Sequence, residues 1–279
     1  MVKKSDYAKE EVEAALSVMI ELMTLLGAFR DDIVLIGGWV PYFLTGDKKQ
    51  EHTGSLDLDL ALNLKHISNK TYNTILQLLI KAGYEQGPQP FQFYRPFRLK
   101  SGQLIRIEVD FLAGEYGGTT KTHRTQTFQD IRARKARGCD LVFESNSSVI
   151  LTGIMPDGAK NEIRIKIANI VPFLVTKGMA LWDNYKEKHA YDIYFVVKNY
   201  PRGIEKIVQE FGPFIENRLA IEGLSKIRKK FDSIDSVGPV WIINFMEISD
   251  KEEAEQIKRD AFERINALLD ALKIGSFRG

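Results

Sequence analysis

The chain has 279 residues, 44% of them apolar, and a formal net charge of +2. That is enough apolar material for one large domain or two smaller ones with their own cores, and it excludes a disordered chain. Near-neutral charge excludes a global field for nucleic acid, so any such partner must be met by a local patch. Cys139 is the only cysteine, which excludes an internal disulfide and a cysteine-based zinc site and suits a reducing compartment. The opening MVKKSDYAKEEVEAAL lacks the apolar run of a signal peptide, and no apolar stretch reaches membrane-spanning length. A cytoplasmic protein with no membrane partner is expected.

Taken in order, Ser5 or Asp6 can cap a first helix running to about Gly27, with Leu16, Met19, Ile20, Met23 and Leu26 at helical spacing. A strand over Ile33–Ile36 follows, then Gly37-Gly38 and a helix from Trp39 to about Leu44. Thr45 to Ser55 is a polar loop. Leu56–Leu62 alternates as a strand. Ser68 to Ala82 reads as a helix ended by Gly83, and Phe91–Leu99 as a strand joined through Ser101-Gly102 to a clearer one over Gln103–Leu112. From Leu112 to Asp140 no steady period holds. Short strands are expected near Leu141–Phe143, Ser148–Ile154 and Glu162–Ile167, with Pro156-Asp157-Gly158 as a turn. Ile170–Lys186 and Lys188–Asn199 read as helices, and the last helix carries Ala254, Ile257, Ala261, Ile265, Leu268, Leu269 and Leu272 on one stripe.

The stretch Ile33–Leu62 carries the chemistry. Asp57 and Asp59 are two apart in a strand, so both carboxylates leave one face while Leu56, Leu58 and Leu60 leave the other. Side-by-side carboxylates repel unless a cation lies between them, and hard oxygen donors suit Mg²⁺. Gly37 and Gly38 end a strand and open a helix, where backbone N–H groups can cradle a phosphate. Without a ligand, the same residues read as a solvated strand face and a tight turn. Asp110 lies in a second strand whose polar face is mostly acidic, with Glu108 as its rival two residues away. Ser55 is either a phosphate donor or a strand-entry serine. Lys177 sits on an apolar helix and must reach water or an anion. Asp192, inside the apolar run Tyr191–Val197, needs a partner, which Lys177 or Lys188 can supply. The basic groups Arg95–Lys100, Lys121–Arg124, Arg132–Arg137 and Lys226–Lys230 read as solvated surface, although the first is interleaved with aromatics that would suit an RNA end. His52, His66, His123 and His189 show no metal-ligand spacing.

The run GGWVPYFL, then GSLDLDLAL, then IEVDFL, resembles the nucleotidyltransferase superfamily that includes DNA polymerase beta. The stretch VPFLVTKGMALWDNYKEKHAYDIYFVVKNY is similar to the AbiEii/MenT-type nucleotidyltransferase toxins, with a lysine on one helix and an aspartate in a D-I-Y-F-like run. The match covers Ile33 to Asn199. Two features depart from the pattern: the gap from Gly38 to Asp57 is long, and His52 or Thr53 stands near the place of an arginine.

The resemblance implies an α+β fold: a mixed sheet flanked by helices over residues 1–168, then a helical half over 169–279. It implies transfer of a nucleoside monophosphate from an NTP to a hydroxyl, with two Mg²⁺ ions (or Mn²⁺) on Asp57, Asp59 and Asp110. Gly37, Gly38, Ser55 and Lys177 would bind nucleotide, and Asp192 would join the catalytic set. The implied acceptor is a tRNA 3′ end or a protein side chain, and the implied partner a cognate antitoxin. A small-molecule acceptor and a non-catalytic nucleotide- or RNA-binding module are the competing expectations.

Overall fold

A computed structural model describes residues 2–63, 66, 69–114, 125–128 and 131–275. The chain divides into two compact units. Tyr7–Val40 and Gly54–Asn169 form a strand-bearing unit; Met1–Asp6, Pro41–Thr53 and Ile170–Gly279 form a helical one.

The elements in chain order are α1 (Lys9–Leu25), β1 (Ile33–Ile36), α2 (Val40–Leu44), β2 (Asp57–Leu62), α3 (Asn69–Lys81), β3 (Glu85–Gln86), β4 (Gln92–Arg98), β5 (Leu104–Ala113), β6 (Thr125–Phe128), β7 (Ile131–Lys135), α4 (Leu141–Glu144), β8 (Asn146–Ile154), β9 (Lys160–Ala168), α5 (Ile170–Asp183), α6 (Glu187–Asn199), α7 (Gly203–Phe211), α8 (Arg218–Lys230), α9 (Val237–Met246) and α10 (Lys251–Ala271). The architecture is α+β, with a mixed sheet and a helical C-terminal part.

The sheet runs β3-β4-β5-β2-β1-β9-β8, with β7 paired to β5 and β6 to β7. β1 is apolar at every position and buried throughout, as a central strand must be. It pairs antiparallel with β2 and parallel with β9, while β2 pairs parallel with β5. In α1 Ala14, Ala15, Val18, Met19, Ile20, Leu22 and Met23 are buried, as is Leu26 just past its end; Leu16 is half-buried. Neither Ser5 nor Asp6 caps α1. They lie in a short 3₁₀ turn over Lys4–Asp6, and Ala8 precedes the helix without a side-chain cap.

Two local expectations change. Leu141–Phe143 is a helical turn, with Leu141 and Val142 buried. Three apolar residues in a row suit a buried turn as well as a strand, and period alone does not separate them. The aperiodic stretch after Leu112 holds two paired antiparallel strands, β6 and β7. Of the basic groups, Lys121–Arg124 lies outside the described residues, as does His123.

In the helical unit α5 crosses α8 at glycine. A β-carbon on Gly178 would lie 2.2 Å from the carbonyl oxygen of Gly223, and one on Gly223 would lie 2.7 Å from that of Val175. α8 starts on Asn217, which accepts from the N–H groups of Leu219 and Ala220, and α10 on Asp250, which accepts from Glu253. Among the described residues no helix is long and apolar enough to cross a membrane.

Candidate functional site

Register assembles the acidic face of the strand unit. Along β2, Leu58 and Leu60 are buried while Asp57 and Asp59 are half-buried; along β5, Val109 and Phe111 are buried while Glu108 and Asp110 are half-buried. The strands are parallel, with Asp57 opposite Glu108 and Asp59 opposite Asp110. Residues opposite one another on neighbouring strands share a face. The two DLDL and EVDF alternations therefore place four carboxylates on one patch.

Gly37 closes the patch at the end of β1. Ile36 pairs with Asp59, and the chain then turns at Gly37 with φ +72°, a left-handed conformation that glycine adopts without cost. A β-carbon there would lie 1.9 Å from Oδ2 of Asp59, so the carboxylate occupies the space any other residue would fill. Gly37–Trp39 form a 3₁₀ turn, and α2 after it has only five residues. Any anion here would be met by turn N–H groups more than by a helix dipole.

The hydrogen-bond partners separate the candidates. Ser55 is buried and donates its hydroxyl to Oδ1 of Asp57. Gln92 donates to Oε1 of Glu108 at 2.5 Å. The phenol of Tyr94 is pushed above its usual pKa by burial and then by Glu108 and Asp110. The fully buried Cys139 thiol is raised by burial first, then by Asp140 and Asp59. Asp140 is a carboxylate near the same face that the sequence did not reveal. It packs against Gly114 at the end of β5, where a β-carbon would lie 1.8 Å from its Oδ1.

Asp57, Asp59 and Asp110 are hard oxygen donors on one face, the donor type Mg²⁺ and Mn²⁺ take. Among the described residues, no three carboxylate, imidazole or thiolate groups converge as a ready-made metal cage. Seating a cation on Asp57 would have to compete with the Ser55 hydroxyl already on its Oδ1.

The helical unit holds a second titratable group of its own. Asp192 on α6 has no exposed surface. Its Oδ2 accepts from Lys177 of α5 at 2.6 Å, and its Oδ1 from Lys188 at 2.8 Å and from His52 Nε2 at 3.0 Å. Both lysines proposed as partners are used. Burial opposes the charge of Asp192, yet Lys177, Lys188 and His52 together hold its carboxyl well below the usual range. An ionised carboxylate only accepts, so the proton of this bond sits on His52 Nε2. Burial lowers the His52 pKa to about 4, although the hydrogen bond to Asp192 works the other way. The ring stacks 5.7 Å from Tyr191 and lies 4.9 Å from Phe195. His189 lies half-buried beside this group with its ring nitrogens shielded from solvent, and its pKa is lowered to about 3, by loss of solvent first and then by Lys177. Neither of its ring nitrogens has a hydrogen-bond partner among the described residues. The nucleotide role of Lys177 and the catalytic role of Asp192 are carried by the resemblance; in the structure the two side chains hold each other.

The loop expected from Thr45 to Ser55 is partly ordered as a 3₁₀ segment over Gly46–Glu51, and it delivers His52 into the helical core. Part of the aromatic–basic run near Arg95 is already used within the fold. Arg95 forks onto Glu21 of α1 at 2.8 and 2.9 Å, and Phe93 is core.

No protein-family model and no curated protein sequence matches the chain. Solved structures similar to it include JHP933 from Helicobacter pylori, 13% identical with a TM-score of 0.45, covering 92% of this chain and 93% of that one. They also include an antigenic nucleotidyltransferase-like protein from Paracoccidioides brasiliensis, 15% identical with a TM-score of 0.46, covering 87% of this chain and 96% of that one.

Proposed function

We propose that the chain is a divalent-metal-dependent nucleotidyltransferase that moves a nucleoside monophosphate from an NTP to a hydroxyl, releasing pyrophosphate. The observation that supports this reading best is the register of Asp59 with Asp110, with Asp59 seated against the Gly37 turn. Asp57, Asp59 and Asp110 would hold the ions. When bound, the ions would offset triphosphate charge and lower the pKa of the attacking hydroxyl. The chain's own residues would do the positioning: the Gly37-Gly38 turn would offer backbone N–H groups to the phosphates, and Asp110 would take the hydroxyl's proton. Ser55 orients Asp57 in the ligand-free state and is free to donate to a phosphate oxygen once a cation holds that carboxylate.

The acceptor we favour is an RNA end, a tRNA 3′ terminus by resemblance, which would make the chain the toxin of a pair with a cognate antitoxin. Incubation with α-labelled NTPs, Mg²⁺ and total tRNA tests this. Label in RNA that Asp59→Asn abolishes is the expected result. Label in protein or in a small hydroxyl compound keeps the chemistry and replaces the acceptor. A second reading, a nucleotide-binding module without turnover, is favoured by the hold of Ser55 on Asp57. NTP binding without transfer to any acceptor would select it, and absence of Mg²⁺-dependent NTP binding would overturn both.

A further inference from the structure

The helical unit carries an exposed basic and aromatic surface that no catalytic argument uses. A cavity of about 440 Å³ opens between the end of α5 and one face of α8, lined by Trp182, Arg218, Ile221, Lys226 and Lys229 among others. A second of about 430 Å³ shares Ile221 and Ser225 with it and continues to Ile274, so the two form one groove along α8. Trp182 is 42% exposed and Tyr185 79%. Large aromatic faces left in water are costly, and here they are covered by the protein's own cations. Lys229 lies 5.5 Å from the Trp182 ring centroid. The ammonium of Lys230 stands 5.1 Å from Trp182, 5.6 Å from Tyr185 and 5.6 Å from Trp241.

We infer that this groove, with the aromatic cluster of Tyr185 and Lys230 beside Trp182, binds a single-stranded nucleic acid, with bases on Trp182 and Tyr185 and backbone phosphates on Arg218, Lys229 and Lys230. The charge and the rings fit one partner together. Among the described residues the first cavity is lined by three cations, Arg218, Lys226 and Lys229, and one acidic side chain, Glu222, which pairs with Lys226 at 3.2 Å. That excess of positive charge suits a polyanion. Every base has a π-face, so exposed rings between cations form a sequence-tolerant stacking platform. The ring contacts of Lys229 and Lys230 are also replaceable. When a base takes the indole face, each displaced ammonium is already within a side chain's reach of the phosphates that flank that base. An acidic peptide would satisfy the cations but leave the rings with nothing to stack. The surface stands independently of nucleotidyl transfer.

The test uses the full chain and a fluorescently labelled 12-nucleotide single strand, titrated at several salt concentrations without NTP. Binding should quench tryptophan emission. Trp182→Ala should weaken it about tenfold or more, the range of one lost stack. Lys229→Gln with Lys230→Gln should weaken it and lower the slope of log affinity against log salt by about 1. Tyr185→Ala, at a side chain too exposed to matter for folding, serves as the second ring variant should Trp182→Ala unfold. Inorganic polyphosphate and a poly-glutamate peptide are the competitors. Either one competing as well as the oligonucleotide, or wild-type affinity in both ring variants, overturns the inference.

Discussion

Oδ2 of Asp59 occupies the position where a β-carbon on Gly37 would stand, 1.9 Å from its ideal place. The glycine is thus required twice, once for φ +72° and once for the carboxylate beside it. Gly37→Ala should lose about 1–2 kcal/mol from the left-handed backbone alone. It should also push Asp59 out of line with Asp110. Mg²⁺-dependent transfer is expected to fall at least about 100-fold, beyond the loss typical of a residue that only supports a ligand. Denaturant unfolding and a single-turnover assay on the same sample separate the two effects.

Asp110 and Glu108 share a face, and geometry favours Asp110. It stands in register with Asp59 at the glycine turn, whereas Glu108 stands beside Asp57 and is held by Gln92. Asp110→Asn should abolish transfer as fully as Asp59→Asn does. Glu108→Gln should retain activity within about tenfold, as for a residue that acts through its neighbours. Equal losses in the two variants would mean the third ligand has been misassigned.

Asp192 joins α5, α6 and the 3₁₀ segment that carries His52. Asp192→Ala leaves two buried ammonium groups without their carboxylate, and breaking such a pair costs about 3–5 kcal/mol. Lys177→Met should cost less, because Lys188 still neutralises Asp192 at 2.8 Å. The double variant Asp192→Ala with Lys177→Met should recover part of the loss. Urea midpoints with unchanged m-values are the measurement, and a double variant no better than Asp192→Ala would remove the ion pair as the cause.

The solvent-shielded imidazoles give folding a pH dependence of definite sign. His52 titrates near 4 and His189 near 3 in the folded chain, both below the usual 6.5. Between about 6.5 and 4 the unfolded chain therefore binds protons that the folded one does not, and stability rises with pH across that window. The Asp192 carboxyl is depressed, so its contribution persists through this range and is lost only below it. Each histidine is expected to account for roughly 3 kcal/mol between pH 7 and pH 4. His189→Leu should flatten the profile. It should be neutral or stabilising at pH 5, since the ring nitrogens it removes make no hydrogen bond among the described residues.

Strand alternation made the acidic face legible in the sequence, because period two states which residues share a side without any knowledge of the partner strand. Which carboxylate meets which depends on register, and register between β2 and β5 is set across more than forty residues by packing. The same limit hid His52. A polar segment with glycine and lysine reads as loop, and only the surrounding Tyr191 and Phe195 make that histidine core. In the run at Phe93 and Arg95 the sequence could not show which groups are already taken. Its composition suits RNA, but Glu21, from a distant helix, claims the guanidinium. Leu141–Phe143 turned helical because three apolar residues carry no period long enough to choose.

The crossing of α5 over α8 yields a prediction free of any functional assumption. A methyl on Gly178 would meet the backbone carbonyl of Gly223 at 2.2 Å, and backbone cannot rotate away as a side chain can. The helices must separate, which empties contacts among Val175, Ile227 and their neighbours. Overpacking of this kind costs about 1–3 kcal/mol, and the gain in helix propensity from glycine to alanine, about 1 kcal/mol, offsets only part of it. Gly27 is the internal control. Its φ lies outside the left-handed region, and a methyl added there would find nothing within 4 Å. Gly27→Ala should stabilise by about 0.4–1 kcal/mol through the unfolded chain. Thermal melts of the two variants should therefore shift in opposite directions, and a Gly178→Ala melt at or above the wild-type midpoint would rule out the close crossing.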